Sequence, residues 1–283
     1  MHYGTPSDTK SAKMMQPLTP GGSSVPLALA RQPRRLYAKN PIKLVVCQLR
    51  FPLLADFEHA GFLGPVQAGF AARYPRVRQE QQVGMTIGPQ GIAQTQQASI
   101  WRFQELDGPW TVALGRDFIA LETQTYRRFE DLHERLAEML DVLDQIGVQV
   151  RERIGLRYIN RLSHPQARNA SDWRPFLRAE LLGVVGGPEL GDDVVQAVQQ
   201  IHLLEPDATV VINHGYLSDK AAGDDGAHYL VDIDFFDPQP ARLDRAGVLS
   251  LVDAYHQRLK DLFEMSITDE MRAHLTVEEE LRA

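Results

Sequence analysis

Two strand-like segments bring together the residue types best able to do chemistry in this chain. In Val148–Leu162 (VQVRERIGLRYINRL), positions 148, 150, 154, 156, 158 and 162 are apolar, while Arg151, Arg153, Arg157 and Arg161 fall on the other face of a period-two strand. In His228–Phe236 (HYLVDIDFF), Tyr229, Val231, Ile233 and Phe235 share one face, with Asp232 and Asp234 opposite. An arginine ladder beside an aspartate pair invites fork–carboxylate bonds across strands. Arg50, Arg102 and Glu122 fall on the same kind of face of their own strands. These eight residues (Arg50, Arg102, Glu122, Arg153, Arg157, Arg161, Asp232 and Asp234) admit a salt-bridged solvent face or a polar groove under the long helices. Such a groove would bind an anion or a peptide, or serve a hydrolytic enzyme. A metal site on the Asp-Ile-Asp step is weakly specified, because two aspartates two apart on a strand are common.

Other chemistry is excluded by what is missing. After Lys43 the only lysines are Lys220 and Lys260, and neither follows a glycine, so there is no Gly-Lys-Ser/Thr phosphate loop. Esterase elbow, H-E-x-x-H and dinucleotide-turn motifs are lacking too. GVVGG at 183–187 follows a helical segment, the wrong context for phosphate binding. A single cysteine, Cys47, excludes an intrachain disulfide framework and a multi-cysteine metal centre, and fits a reducing, cytoplasmic compartment. It alternates with Val45 and Leu49 and reads as a buried hydrophobe. Of nine scattered histidines, His202 and His214 are the pair expected to approach across strands, as a hydrogen-bonded structural pair. No metal, cofactor or membrane span is expected.

The elements that position these residues follow from periodicity. Ile42–Phe51, bounded by prolines, is a strand, and Phe62–Tyr74 a short amphipathic helix ending at Pro75. Strands follow at 100–106, 110–114 and 118–126, joined by Asp-Gly-Pro and Gly-Arg-Asp turns. The stripe Phe129, Leu132, Leu136, Met139, Leu140, Leu143 and Ile146 is a helix that Gly147 should cap. Strands at 148–162, 194–204, 209–217 and 228–236, a helix near 172–182 and a long helix over 245–264 complete the chain, with a flexible loop at 220–226. The fold class is α+β, antiparallel sheets crossed by long amphipathic helices. The repeated β-α-β-β-β-α order (about 41–147 and 148–275) suggests duplicated halves of helix-grip or TATA-binding-protein-like form. The two halves, within 40–283, form one compact unit.

Charge is unevenly spread. Residues 1–39 hold six basic side chains and one acid, which leaves −12 on the rest of a chain whose net charge is −7. Five prolines and a Gly-Gly-Ser-Ser step there indicate a disordered leader dispensable for folding, whose Arg31, Arg34, Arg35 and Lys39 could touch nucleic acid weakly.

PIKLVVCQLRFP (41–52), the 101–136 segment, RIGLRYINRL (153–162), LVDIDFF (230–236) and ITDEMRAHL (267–275) resemble a "sporadically distributed" family of uncharacterised bacterial proteins. The resemblance implies an accessory or mobile gene and supplies no catalytic residues. The leading expectation is a non-catalytic interaction protein that recognises a partner protein or peptide. The alternatives are a ligand-binding or hydrolytic Arg/Asp groove and a nucleic-acid-associated tail; the sequence does not set the oligomeric state.

Overall fold

The structure is a computed structural model that describes residues 29–59, 61–88, 91–187, 190, 193–218 and 226–281. Thirteen strands are present among them: β1 (Arg34–Tyr37), β2 (Ile42–Arg50), β3 (Arg76–Gly88), β4 (Gly91–Gln104), β5 (Trp110–Leu114), β6 (Phe118–Thr123), β7 (Val150–Arg151), β8 (Arg153–Leu162), β9 (Gln196–Leu204), β10 (Thr209–Ser218), β11 (Ala227–Asp237), β12 (Ala241–Arg242) and β13 (Val277–Leu281). The helices are α1 (Leu63–Phe70), α2 (Phe129–Gln145), α3 (Ala179–Leu182), α4 (Arg245–Ser266) and α5 (Asp269–Leu275).

Nine strands make one antiparallel sheet in the order β3-β4-β5-β6-β2-β8-β11-β10-β9. Its middle is the β2–β8 pair, in which Cys47 lies opposite Leu156 and Val45 opposite Tyr158. Odd positions of β2 (Val45, Cys47, Leu49) and even positions of β8 (Ile154, Leu156) are fully buried on one face. The amphipathic faces of α2 and α4 cover that side, with α4 against β8 and β11, α2 against β6, and each helix against the other. One apolar core therefore runs through both halves of the chain. At roughly 1.5–3 kcal/mol per buried side chain, slipping β2 by one residue would expose three such groups and cost about 5–9 kcal/mol. That rivals the whole stability of an ordinary domain, so the register is fixed.

Local signals account for most element ends. After α2, Gly147 takes φ +81°, and Val148 N–H closes onto the Leu143 carbonyl (3.0 Å), as the glycine cap requires. Asp244 accepts from the Gly247 N–H (2.7 Å) and caps α4. The helix expected near 172–182 is instead a 3₁₀ turn (Ala170–Trp173) and the four-residue α3. Pro175 lacks the N–H a continuous helix needs, and Arg178 N–H is drawn to the Ser266 carbonyl (3.1 Å). The hairpin arm β3 alternates apolar residues only in its far half (Val83, Met85, Ile87) and is paired along its length with β4. The loop expected at 220–226 lies outside the described residues, apart from Gly226.

The leader expectation is corrected for its last part. Residues 34–37 form β1, which pairs antiparallel with β13 through Arg34–Leu281, Arg35–Glu280 and Leu36–Glu279. Tyr37 is buried, and its hydroxyl donates to Glu264 (2.7 Å). The proline-rich composition conceals a strand because β1 has a partner only at the other end of the chain. Residues 29–33 also meet the body, with Leu29 packed on the core and the Gln32 N–H donating to Asp261 (2.8 Å), while 1–28 lie outside the described residues.

Gly215 in β10 sits so close to β9 that an added Cβ would stand 2.0 Å from the Ala197 carbonyl oxygen. Both partners are backbone, so Gly215→Ala must push β9 away. The expected cost is about 1–3 kcal/mol. Thermal melting should drop by several degrees, and amide exchange should rise over 196–204.

Candidate functional site

The face of the sheet that no described helix covers gathers the predicted arginines and aspartates. One row across it reads Glu122 (β6), Val46 (β2), Arg157 (β8), Asp234 (β11), Val211 (β10) and His202 (β9). Arg157 grips Asp232 with both arms of its guanidinium, Nε to Oδ1 at 2.7 Å and Nη2 to Oδ2 at 2.6 Å. Arg153 reaches Asp234 (2.9 Å) and Gln48 (3.3 Å) and lies over the Phe236 ring, 4.2 Å from its centroid. Burial raises the Asp234 carboxyl above its ordinary range, against the opposing pull of Arg153 and Arg157. Asn213 adds a third donor to Asp232 (3.2 Å).

These contacts place Arg157 and the aspartate pair on one face within reach of each other, as expected, but the groove is corrected in two respects. It does not lie under the long helices, which cover the opposite face. Nor do its side chains converge on an open cavity, since each cation closes on a carboxylate of the next strand. The other predicted members stand apart. Arg102 binds Glu80 (2.5 Å) and Glu122 on the β3–β6 side, and Arg50 binds Asp117 (2.6 Å) at a strand end. Arg161 meets His228 Nδ1 (3.0 Å). Arg151, a β7 residue, is held by Asp237 (2.7 Å).

The remaining expectations divide. Cys47 is buried, and burial pushes its thiol up to about 12, so it stays protonated and inert. The His202–His214 pair is corrected: His202 lies on the open face beside Gln200, whereas His214 is buried on the helix side against the Tyr229 hydroxyl (2.9 Å). Adjacent strands set them at positions of opposite parity, which the sequence alone did not register. Arg35 is bound by Glu264 (2.9 Å) and Glu280 (3.3 Å), and Arg34 approaches Glu130 (3.6 Å) over the Phe129 ring. Both therefore belong to the folded body. Arg31 is exposed and Lys39 stands just after β1. Among the described residues, no group of three or more His, Cys, Asp or Glu could hold a metal ion, and no helix is long and apolar enough to cross a membrane.

The sequence reading passed over the sheet margin. Nine residues of β9, QAVQQIHLL, carry no charge and no proline, and they pair with β10 in unbroken register while their other edge has no strand neighbour among the described residues. Val198, Ile201 and Leu204 are 47%, 39% and 39% exposed. The signal was legible as an uncharged segment in a chain that is one-quarter charged, but only the strand order makes it an edge. No family model matches this sequence, and no curated protein is significantly similar to it.

Two outcomes follow from the ion pairs. The Asp232 side chain is 4% exposed and that of Arg157 43%, so removing the cation strands a buried anion, whereas removing the anion frees a cation that can reach water. Arg157→Leu should cost about 2–3 kcal/mol and Asp232→Asn only about 1 kcal/mol, read by denaturant unfolding. Equal losses would refute this asymmetry. Deleting residues 1–39 should lower the melting temperature by several degrees, because Glu264 loses the Tyr37 and Arg35 donors and keeps Arg272 alone among its side-chain partners. An unchanged melt would show that β1 is dispensable after all.

Proposed function

We propose that the protein is a non-catalytic interaction protein whose β9 edge receives an extended segment of a partner protein. The bare, uncharged edge carries this reading. Natural sheets blunt such edges with charges, prolines or bulges, and β9 has none of these. An added strand would satisfy its backbone groups and give Val198, Ile201 and Leu204 neighbours, the mode of β-augmentation. Apart from β3, an outer strand of the first half that the repeat does not contain, β6-β5-β4 beyond β2 mirror β11-β10-β9 beyond β8, which supports a duplicated, TATA-binding-protein-like arrangement in which β9 terminates the second half. A partner segment is favoured over a second copy because two chains of net charge −7 repel each other, whereas a neutral or basic segment meets no such barrier. The internally satisfied Arg/Asp face supports recognition rather than hydrolysis. Resemblance to the sporadically distributed bacterial family supports an accessory gene product acting on a partner in the cytoplasm.

Capture from the native host with wild-type protein and with Val198→Lys/Ile201→Lys, followed by amide exchange on the recovered complex, tests the reading. Wild type should retain a partner that the variant loses, with protection of 196–204 rising at least tenfold. Retention by both proteins, protection elsewhere, or a dimer protected at β9 would each overturn it.

A further inference from the structure

At the end of the sheet remote from β9, two strands run well past their neighbours. β4 pairs with β5 only over Trp101–Gln104, whereas β3 and β4 pair with each other from Arg76 opposite Gln104 out to Gly88 opposite Gly91. Beyond β5 they form a two-stranded arm, and β3 has no strand on its outer edge among the described residues. Residues 81–88 of β3 give this arm a reach of about 26 Å.

Charge stops where the arm begins. Beside the body, β3 carries Arg76, Arg78 and Glu80, the kind of residue that keeps an edge from pairing. From Gln81 to Trp101 the chain has no charged residue, although 24% of the whole is charged. The bulge in the arm falls on β4, where Gln96 is passed over between the Val83–Gln97 and Gly84–Thr95 pairs, so the alternation of β3 is unbroken. A lone two-stranded ribbon is marginally stable in water and gains from further strands.

The sequence of that edge is its own complement. Val83, Met85 and Ile87 share one face of the strand. An antiparallel copy turned about Met85 sets Met85 opposite itself and Val83 opposite Ile87 in both directions, an apolar row across two edges. The same axis sets Gly84 against Thr86 and Gln82 against Gly88 on the other face, so no like charges meet anywhere. The two bodies then stand at opposite ends of the paired arms, about 26 Å apart, which is roughly three Debye lengths at physiological salt. The net charge of −7 that disfavours a second copy alongside β9 is therefore screened here. We infer that two copies of this chain associate through the arm, β3 against β3 in antiparallel register about Met85, as a four-stranded ribbon. This inference does not depend on the β9 reading.

Cysteine cross-linking of the full chain tests it, the natural Cys47 being buried. In this register the two Met85 Cα atoms lie about 4.5–5.5 Å apart, inside disulfide range, while Thr86 lies about 8 Å from its counterpart, outside it. Mild oxidation should link Met85→Cys chains into dimers at least tenfold faster than Thr86→Cys chains. Sedimentation of the wild type should show a dimer whose amide exchange is slowed over 81–88, and Met85→Lys/Ile87→Lys should weaken it at least tenfold. A wild type that stays monomeric across the micromolar range, equal linking of the two cysteine variants, or a dimer that survives the lysine substitutions would overturn the inference. A dimer protected over 196–204 instead would overturn both it and the β9 reading. The cysteine comparison stands even if the lysine variant fails to fold, and because partner capture and self-association are read separately, failure of one leaves the other standing.

Discussion

The pairing of β2 with β8 is the constraint on which the rest of the molecule depends. Two strands about a hundred residues apart meet in antiparallel register and fuse the sheets of the two halves into one. Because side chains alternate, that register sends Val45, Cys47, Leu49, Ile154 and Leu156 to one face and Arg50, Arg153 and Arg157 to the other. The helices must then follow the apolar side, and Arg50, Arg153, Arg157, Asp232 and Asp234 are left on the open side.

The open side is polar without being reactive. Its cations and anions arrive on adjacent strands at hydrogen-bonding distance, so each finds a counter-ion before it finds a ligand. A bidentate pair whose carboxylate is buried gives little net stability, yet it strongly penalises any register that separates Arg157 from Asp232. The network thus adds electrostatic specificity to a register that apolar burial already fixes.

Where the alternation has no counterpart, the structure offers chemistry. The sheet ends at β9, which has no further strand neighbour among the described residues, and the layer between sheet and helices opens beside β1 into a cavity lined by aromatic and charged side chains. Both features lie at the margins of the β2–β8 core rather than within it. At its centre, packing and pairing leave no room for either.

What could be read from the chain was whatever repeats at short range. The stripe from Phe129 to Ile146 specified α2, Gly147 its cap, and the alternations in Ile42–Phe51, Val148–Leu162 and His228–Phe236 specified three central strands and even the shared face of Arg157 with Asp232 and Asp234. Long-range pairing leaves no such local trace. The partner of β1 is more than two hundred residues away, so a strand passed for part of a leader; β3 alternates apolar residues only over Val83–Ile87, so its first half is defined by its ladder to β4. The opposite faces of His202 and His214 and the exposure of β9 follow from register and strand order. Lys260 shows the difference most plainly. In the sequence it is one of few lysines on an amphipathic helix, and only the folding of β1 and α2 beside it buries its amine without a hydrogen-bond partner among the described residues. Local chemistry sets which residues can share a face; tertiary contacts set what each of them faces.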